Sequence, residues 1–497
     1  MLWLSSLGTF GEALRIIILI AEVLLVFNLM ILVHEWGHFL AARWRGLKVE
    51  AFYIWFGKPL WKKKINGVEY GLGSIPAGGF VKLPQMAPMD AIEGESTSTE
   101  PLPPISPLDK IIVAFAGPLF SFGLACVFAT LVHFLGKPQT ESFVTTTIGY
   151  VAKDSPAEKA GLKAGDVIKA IDGHPIRRFE GFVDSVRWGV ISSEGEKIIF
   201  DIERDGKTTP VPVQSEKAAG GDQASAWWEG IFKRPALREV GITGKETPMV
   251  GAVQEHGPAQ EAGLKPGDEL LKMDGQTIFS RFQFSEHLEK NRGKPVEIII
   301  RRDNREMPVS ILPRIPDKWE SKEAPRYMVG IAWHPTGARK LANPGIFEQV
   351  SDAARSMVSM ISKLFSPKSD ISPGHMSGPV GIGHMYYNLL QDTEAFLQVL
   401  WFSVVLNVNL AIMNLLPFPV LDGGHITMAV AEAIRRRPLR SRPLEVLQTA
   451  CVLMLFGFLI FVTLKDTGDI FIGGKKAPKD EIGWLPKDQR KEPAAAK

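Results

Sequence analysis

Cysteine is almost absent: Cys126 and Cys451 are the only two in 497 residues, and each lies inside a long apolar stretch. That excludes a disulfide scaffold and a C-x-x-C metal or redox pair, and leaves both as packing residues. Net charge is also small, +3 from 57 basic and 54 acidic residues. No basic stripe interleaved with aromatics is present, so nucleic acid is excluded as a partner. What the chain has instead is apolar bulk, 45% hydrophobic residues alongside 22% charged. With a mean hydropathy of +0.05, it is too apolar for an ordinary soluble enzyme and too charged to lie wholly in a membrane.

Four stretches approach the length needed to cross a hydrocarbon core, at about Ile16–Phe39, Ile111–Leu135, Phe396–Leu416 and Leu444–Leu464. The first is longer than a signal-peptide core, is interrupted by Glu22 and Asn28, and lacks a small-residue cleavage site, so it reads as a retained helix. Arg43, Arg45, Lys48, Lys58, Lys62, Lys63, Lys64, Lys82 and Lys110 follow it, and Arg435, Arg436, Arg437, Arg440 and Arg442 join the last two spans. The positive-inside rule places both connections in the cytoplasm, with the termini and the long insert from Gly136 to about Thr393 on the other side.

The insert carries a repeat. The block from Ser155 through Pro156-Ala157, Ala160-Gly161-Leu162 and Gly165-Asp166 recurs 102 residues later as Gly257, Pro258-Ala259, Ala262-Gly263-Leu264 and Gly267-Asp268. Ile171-Asp172-Gly173 and Met273-Asp274-Gly275 keep the same shift, which marks a duplicated domain. Alternating residues in Lys197–Ile202 and Val296–Ile300 predict half-buried strands around a short helix. Ala218–Ser225 reads as a flexible linker, and Pro84–Pro107, rich in Pro, Ser, Thr and Glu, as disordered. Phe347, Val350, Ala354, Met357, Ile361 and Leu364 follow helical spacing, predicting an amphipathic helix on the membrane surface.

The chemistry sits at the end of the first span, in His34-Glu35-Trp36-Gly37-His38. Residues four apart share a helix face, so both imidazoles grip one metal while Glu35 reaches the attacking water. Ten histidines make a chance occurrence roughly a one-in-a-hundred event. The location weighs more, since ionisable groups near a bilayer core cost about 2.5–3.5 kcal/mol each and persist for function. A catalytic zinc takes three protein ligands and keeps one position open. The third is sought in Asn414-Leu415-Leu416-Pro417-Phe418-Pro419-Val420-Leu421-Asp422-Gly423-Gly424-His425, at the matching end of the third span, with Asp422 leading and His425 competing. Pro417 and Pro419 break that helix and free backbone toward a cavity or an extended substrate, and Gly423 and Gly424 permit close backbone approach.

These motifs, together with Phe56–Trp61, Ile75–Lys82, Ala116-Gly117-Pro118, Ser377–Ile382 and the duplicated blocks, resemble the site-2 protease family of intramembrane zinc metalloproteases, most closely its bacterial sigma-E-regulating branch. The resemblance implies zinc on His34, His38 and Asp422, and catalysis by Glu35. It also implies substrate positioning by Asn414, Pro417, Pro419, Gly78 and Gly79. It implies a multi-pass α-helical membrane protein with four transmembrane helices, an inserted pair of α+β PDZ domains and a membrane-associated β-hairpin at about 67–83 that offers an edge to an unwound substrate helix.

The division it implies runs 1–42 and 110–136 for the first two spans, with the cytoplasmic loop 43–109 between them. PDZ domains follow at 137–225 and 240–335, then a surface helix and connector at 340–393. The third span is 394–425, a loop 426–443, the fourth span 444–465 and a tail 466–497. The implied setting is the bacterial inner membrane, with the PDZ domains and both termini periplasmic and the active site near the cytoplasm. Implied substrates are single-span proteins such as an anti-sigma factor, and remnant signal peptides. The PDZ domains either bind substrate tails by strand addition or only exclude bulky substrates.

Trp55 stands where relatives often have Gly, and Ser121 where they often have Asn; neither is expected to touch the metal ligands. Glu22 is expected to pair with a neighbouring helix. Two rivals remain, a non-enzymatic scaffold with a structural metal and a transporter-like channel suggested by the broken third span.

Overall fold

The computed structural model describes residues 8–86, 105–218, 232–320, 324–334, 337–391, 394–437, 441–471 and 481–486. Most of the stretch expected to be disordered and all but Ala218 of the expected linker lie outside these residues. The chain divides into two compact units. One comprises residues 1–137, 343–361 and 373–468; the other comprises 138–342, 362–372 and 469–497.

In the first unit, helix α1 (Gly8–Trp44) leads into four strands, β1 (Ala51–Phe56), β2 (Trp61–Ile65), β3 (Val68–Leu72) and β4 (Ile75–Lys82). Helix α2 (Pro107–Leu135) follows, then α3 (Ile346–Leu364), α4 (Pro379–Leu390), α5 (Ala395–Asn414), α6 (Asp422–Arg435) and α7 (Ser441–Phe471). Among the described residues, four helices are long and apolar enough to cross a membrane, over Ile16–Trp44, Pro107–Leu135, Ala395–Asn414 and Pro443–Ile470. A chain of this kind is a multi-pass membrane protein.

Helix α2 is the centre of the unit and packs on α1, α5 and α6. Its start is encoded locally: Ser106 is the N-cap, its hydroxyl accepts the Asp109 N–H at 3.2 Å, and Pro107 occupies the first turn. Ala114, Ala116, Gly117, Ser121, Ala125 and Ala129 are buried along it, and such small residues let neighbouring helices approach closely. The backbones come close at Gly37 of α1, where an added Cβ would lie 2.4 Å from the Ala116 carbonyl oxygen. Arg45–Asp109 at 2.6 Å and Lys110–Glu432 at 2.7 Å tie the start of α2 to the end of α1 and to α6.

The sheet corrects one expectation. Its strand order is β2-β3-β1-β4, so β3 and β4 form no hairpin with each other. The apolar strand β1 takes the place between them, parallel to β3 and antiparallel to β4. It does so because its residues fill the core: Phe52 is buried with Phe39 and Val81, and Tyr53 stacks on Phe80 at 5.2 Å. A bulge interrupts β1 between Ile54 and Phe56, where Trp55 adopts φ +69°. Glycine reaches that conformation without a Cβ penalty, so the tryptophan here carries a backbone strain that a glycine would not. Here the Trp55 indole N–H donates to the Asn28 side chain of α1.

Two further boundaries move. The third span ends at Asn414, and Asp422 starts a separate helix, so 415–421 is a turn rather than a continuation of the span. Residues 426–435, expected as loop, complete that second helix. The amphipathic helix is present as α3, with Val350 buried and Phe347 exposed. Glu22 is half-buried and shows no ion pair or hydrogen bond among the described residues, so the expected partner is not found.

In the second unit the repeat folds twice into the same pattern. The first copy has a four-stranded sheet formed by Lys207–Gln214, Lys197–Arg204, Val167–Ile171 and His174–Pro175, and the second by Gln276–Thr277, Glu269–Met273, Val296–Arg302 and Arg305–Ile311. Buried Asp166 accepts from Arg204 at 2.6 and 2.7 Å, and Arg204 also donates to the Gly161 carbonyl at 2.8 Å. Asp268, Arg302 and Gly263 repeat this arrangement at 2.6, 2.6 and 2.8 Å. The repeated Gly-Asp thus has a packing role: its carboxylate needs a cation and an N–H to be buried.

Candidate metal centre

Two elements distant in sequence supply the centre. The regular α1 helix places His34 and His38 one turn apart on one face, and their Nε2 atoms are 3.3 Å from each other. Opposite them, Asp422 begins α6, with Oδ2 3.3 Å from His34 Nε2 and Oδ1 3.3 Å from His38 Nε2. All three side chains thus converge within one ion's reach. Among the described residues the group that could hold an ion comprises His34, His38 and Asp422, and His425 is not part of it.

The orientation of the imidazoles is set from behind. His38 Nδ1 donates to the Val113 carbonyl at 2.8 Å, and His34 Nδ1 is 3.0 Å from Ser121 Oγ. With Nδ1 engaged as donor, His38 presents the lone pair of Nε2 inward, as a metal ligand must, and the Ser121 hydroxyl can accept from His34 Nδ1 to give the same tautomer there. Ser121 therefore does touch a ligand, contrary to the sequence expectation. The signal for it was its place one turn after Gly117 on the same face of α2. Gly117 itself was expected only as part of a motif; a Cβ there would lie 2.2 Å from His38 Nε2 and 2.9 Å from His34 Cε1. The donor set is two imidazoles and one carboxylate with their backing hydrogen bonds, and these residues fit zinc.

Asp422 is outside the spans. Burial pushes its carboxyl upward, but the two neighbouring imidazoles outweigh burial and hold it well below the ordinary carboxylate value. Burial also holds the His425 imidazole below its ordinary value.

A cavity of about 310 Å³ opens onto this cluster. Glu35, Asn414, Gly78, Gly79, Phe80 and His425 line it together with the three converging side chains. Asn414 Nδ2 lies 3.3 Å from His34 Nε2. Gly79 faces Glu35, with an added Cβ 3.3 Å from Glu35 Cγ, and Gly78, at φ +73°, lies against the Phe56 ring. Strand β4 is the last strand of its sheet. Pro417 and Pro419 do not line the cavity. Their part is to end α5, since proline lacks the N–H a helix needs. Gly423 and Gly424 receive the protein's own turn, their Cβ positions lying 2.2 Å from the Leu415 oxygen and 2.0 Å from the Phe418 oxygen.

Comparison with known proteins finds relatives over most of the chain. The family model described as peptidase family M50 matches residues 22–458. A protein of Neisseria meningitidis serogroup A, named as a zinc metalloprotease, is 30% identical over 438 residues, covering 84% of this chain and 92% of its own. Protease RseP of Yersinia pestis is 28% identical over 444 residues, 85% of this chain and 92% of its own. The regulator of sigma-E protease RseP of Salmonella typhimurium is 27% identical over 440 residues, with the same two coverages.

Proposed function

This chain belongs to peptidase family M50, the site-2 zinc metalloproteases, and from that premise we propose that it cleaves single-span membrane proteins within or at the edge of the bilayer. The observation that carries the proposal is the convergence of His34, His38 and Asp422 on one point beside Glu35, in a cavity among apolar helices.

In this reading His34, His38 and Asp422 hold the zinc. When bound, zinc supplies Lewis acidity toward water and the scissile carbonyl. Glu35 takes the proton of the attacking water and delivers it to the departing amide nitrogen. Asn414 orients the substrate carbonyl from the opposite helix. A transmembrane helix buries its peptide bonds in its own hydrogen bonds, so it must unwind before attack. The free edge of β4, with Gly78 and Gly79 beside Glu35, receives the unwound segment as an added strand. Pro417 and Pro419 act by shaping the turn that delivers Asp422.

The substrates proposed are a membrane-bound anti-sigma factor and remnant signal peptides. The setting is the inner membrane, with the site toward the cytoplasm and the duplicated domains outside. Those domains serve as PDZ modules that meet substrate tails or exclude bulky ectodomains, and α3 rests on the outer surface. The test is purification in detergent with zinc analysis and cleavage of a single-span peptide. Glu35→Gln is expected to keep zinc and leave the substrate uncut, whereas a scaffold with a structural metal predicts no effect of that change.

A further inference from the structure

His425 is buried, 8% exposed, and lines the metal cavity together with Glu35 and Asn414. It follows Asp422 by three positions in α6, and residues so spaced share a helix face. Its ring makes no hydrogen bond among the described residues. The contrast with its neighbours is specific: His34 and His38 both have a backing partner on Nδ1. Its ring nitrogens are not among the fully enclosed polar atoms left without a partner, so the polar edge of the ring reaches the cavity and is available for a task there. Metal ligation is not that task, since His425 stands outside the group of converging donors. Gly423 and Gly424 pack tightly on the carbonyls of Leu415 and Phe418, which fixes the backbone from which the ring projects. The charged groups acting on it are Asp422, His38 and Lys110, and Lys110 is itself bonded to Glu432 at 2.7 Å.

We propose that His425 is a further catalytic residue of this site, donating a hydrogen bond to the substrate carbonyl oxygen as that oxygen gains negative charge. This rests on the metalloprotease reading above. An imidazole N–H at a helix start, lining the cavity beside the metal cluster, is the kind of positioned donor that stabilises developing charge. Asn414 approaches from α5 and His425 from α6, so the two donors come from either side of the turn that breaks the third span.

The test uses the full-length protein and its His425→Leu and His425→Gln variants, with zinc content, thermal midpoint, and kcat and KM on a single-span peptide. Affinity for a phosphinic peptide of the same sequence is measured alongside affinity for the uncleaved peptide in a Glu35→Gln background. The expected result is one zinc per chain throughout, and a kcat about 100-fold lower in His425→Leu with KM nearly unchanged. Phosphinic-peptide affinity should fall by a similar factor while uncleaved-peptide affinity holds. His425→Gln, which restores a donor, should recover most of the loss. Full activity in His425→Leu would overturn the proposal and make the residue a packing group. Loss of zinc in both variants would overturn it in favour of a ligand role. A wild type without zinc or cleavage would instead sink the broader metalloprotease reading.

Discussion

Adding a single methyl group at Gly117 should abolish zinc binding without unfolding the protein. Its Cβ would lie 2.2 Å from His38 Nε2, 2.5 Å from His38 Cε1 and 2.9 Å from His34 Cε1. Ordinary contact begins at 3.4 Å, so His38 must retreat by about 1 Å. The ring cannot do so freely, because its Nδ1 is tethered to the Val113 carbonyl at 2.8 Å. Metal–ligand distances tolerate only about 0.2 Å, and losing even a backing hydrogen bond costs ~10–100-fold in affinity. Displacing the ligand itself should therefore weaken zinc by at least about 100-fold. Gly123 is the internal control: it lies in the same helix, and a Cβ there meets nothing within 4 Å. Both changes improve helix propensity by up to ~1 kcal/mol, whereas overpacking at Gly117 costs about 1–3 kcal/mol, so the melting measurement is what separates loss of zinc from loss of fold. The assay is competition for zinc with a chelator of known affinity, alongside thermal melting. Wild-type zinc affinity in Gly117→Ala would refute the placement of the imidazoles.

Ser121→Ala removes the partner of His34 Nδ1 and should weaken zinc ~10–100-fold in the same competition assay, with Ser121→Thr restoring it. Arg204→Met leaves buried Asp166 without its cation and should destabilise the first copy by about 2–3 kcal/mol, because Arg204 is itself partly exposed. Arg302→Met should act in the same way on the second copy through Asp268; urea melts of the protein with each change separate the two. Tyr150 is pushed up to about 12 by burial and by its bond to Glu286. Its folded value lies above the unfolded value of about 10, so its contribution is present below pH ~10 and lost as pH rises through about 12. Phenolate absorbance in wild type against Tyr150→Phe checks this.

The sequence carried the spans because apolar length is a direct readout of bilayer thickness. It carried the first two candidate ligands because a helix enforces the i, i+4 geometry of His34 and His38. The convergence of Asp422 needed a fold, since it depends on where the turn after Asn414, itself 380 residues from His34, comes to rest. The hairpin expectation failed because adjacency in sequence suggests pairing, whereas β1 offers β3 and β4 a more apolar neighbour than each offers the other. Gly117 and Ser121 were visible as letters, but their roles lie in contacts across helices, 87 positions apart for Ser121 and His34. The extra helix Pro379–Leu390 was hidden for a similar reason: Tyr386, fully buried against Phe27 and bonded to Ser403 at 2.9 Å, holds it by tertiary contact.

The measurement that bears most directly on the account is zinc content and peptide cleavage in wild type, Asp422→Ala and Glu35→Gln, before and after chelation. The account predicts one zinc per chain and metal-dependent cleavage in wild type, loss of both in Asp422→Ala, and retained zinc without cleavage in Glu35→Gln. Undiminished zinc in Asp422→Ala, or cleavage that survives complete chelation, would contradict it.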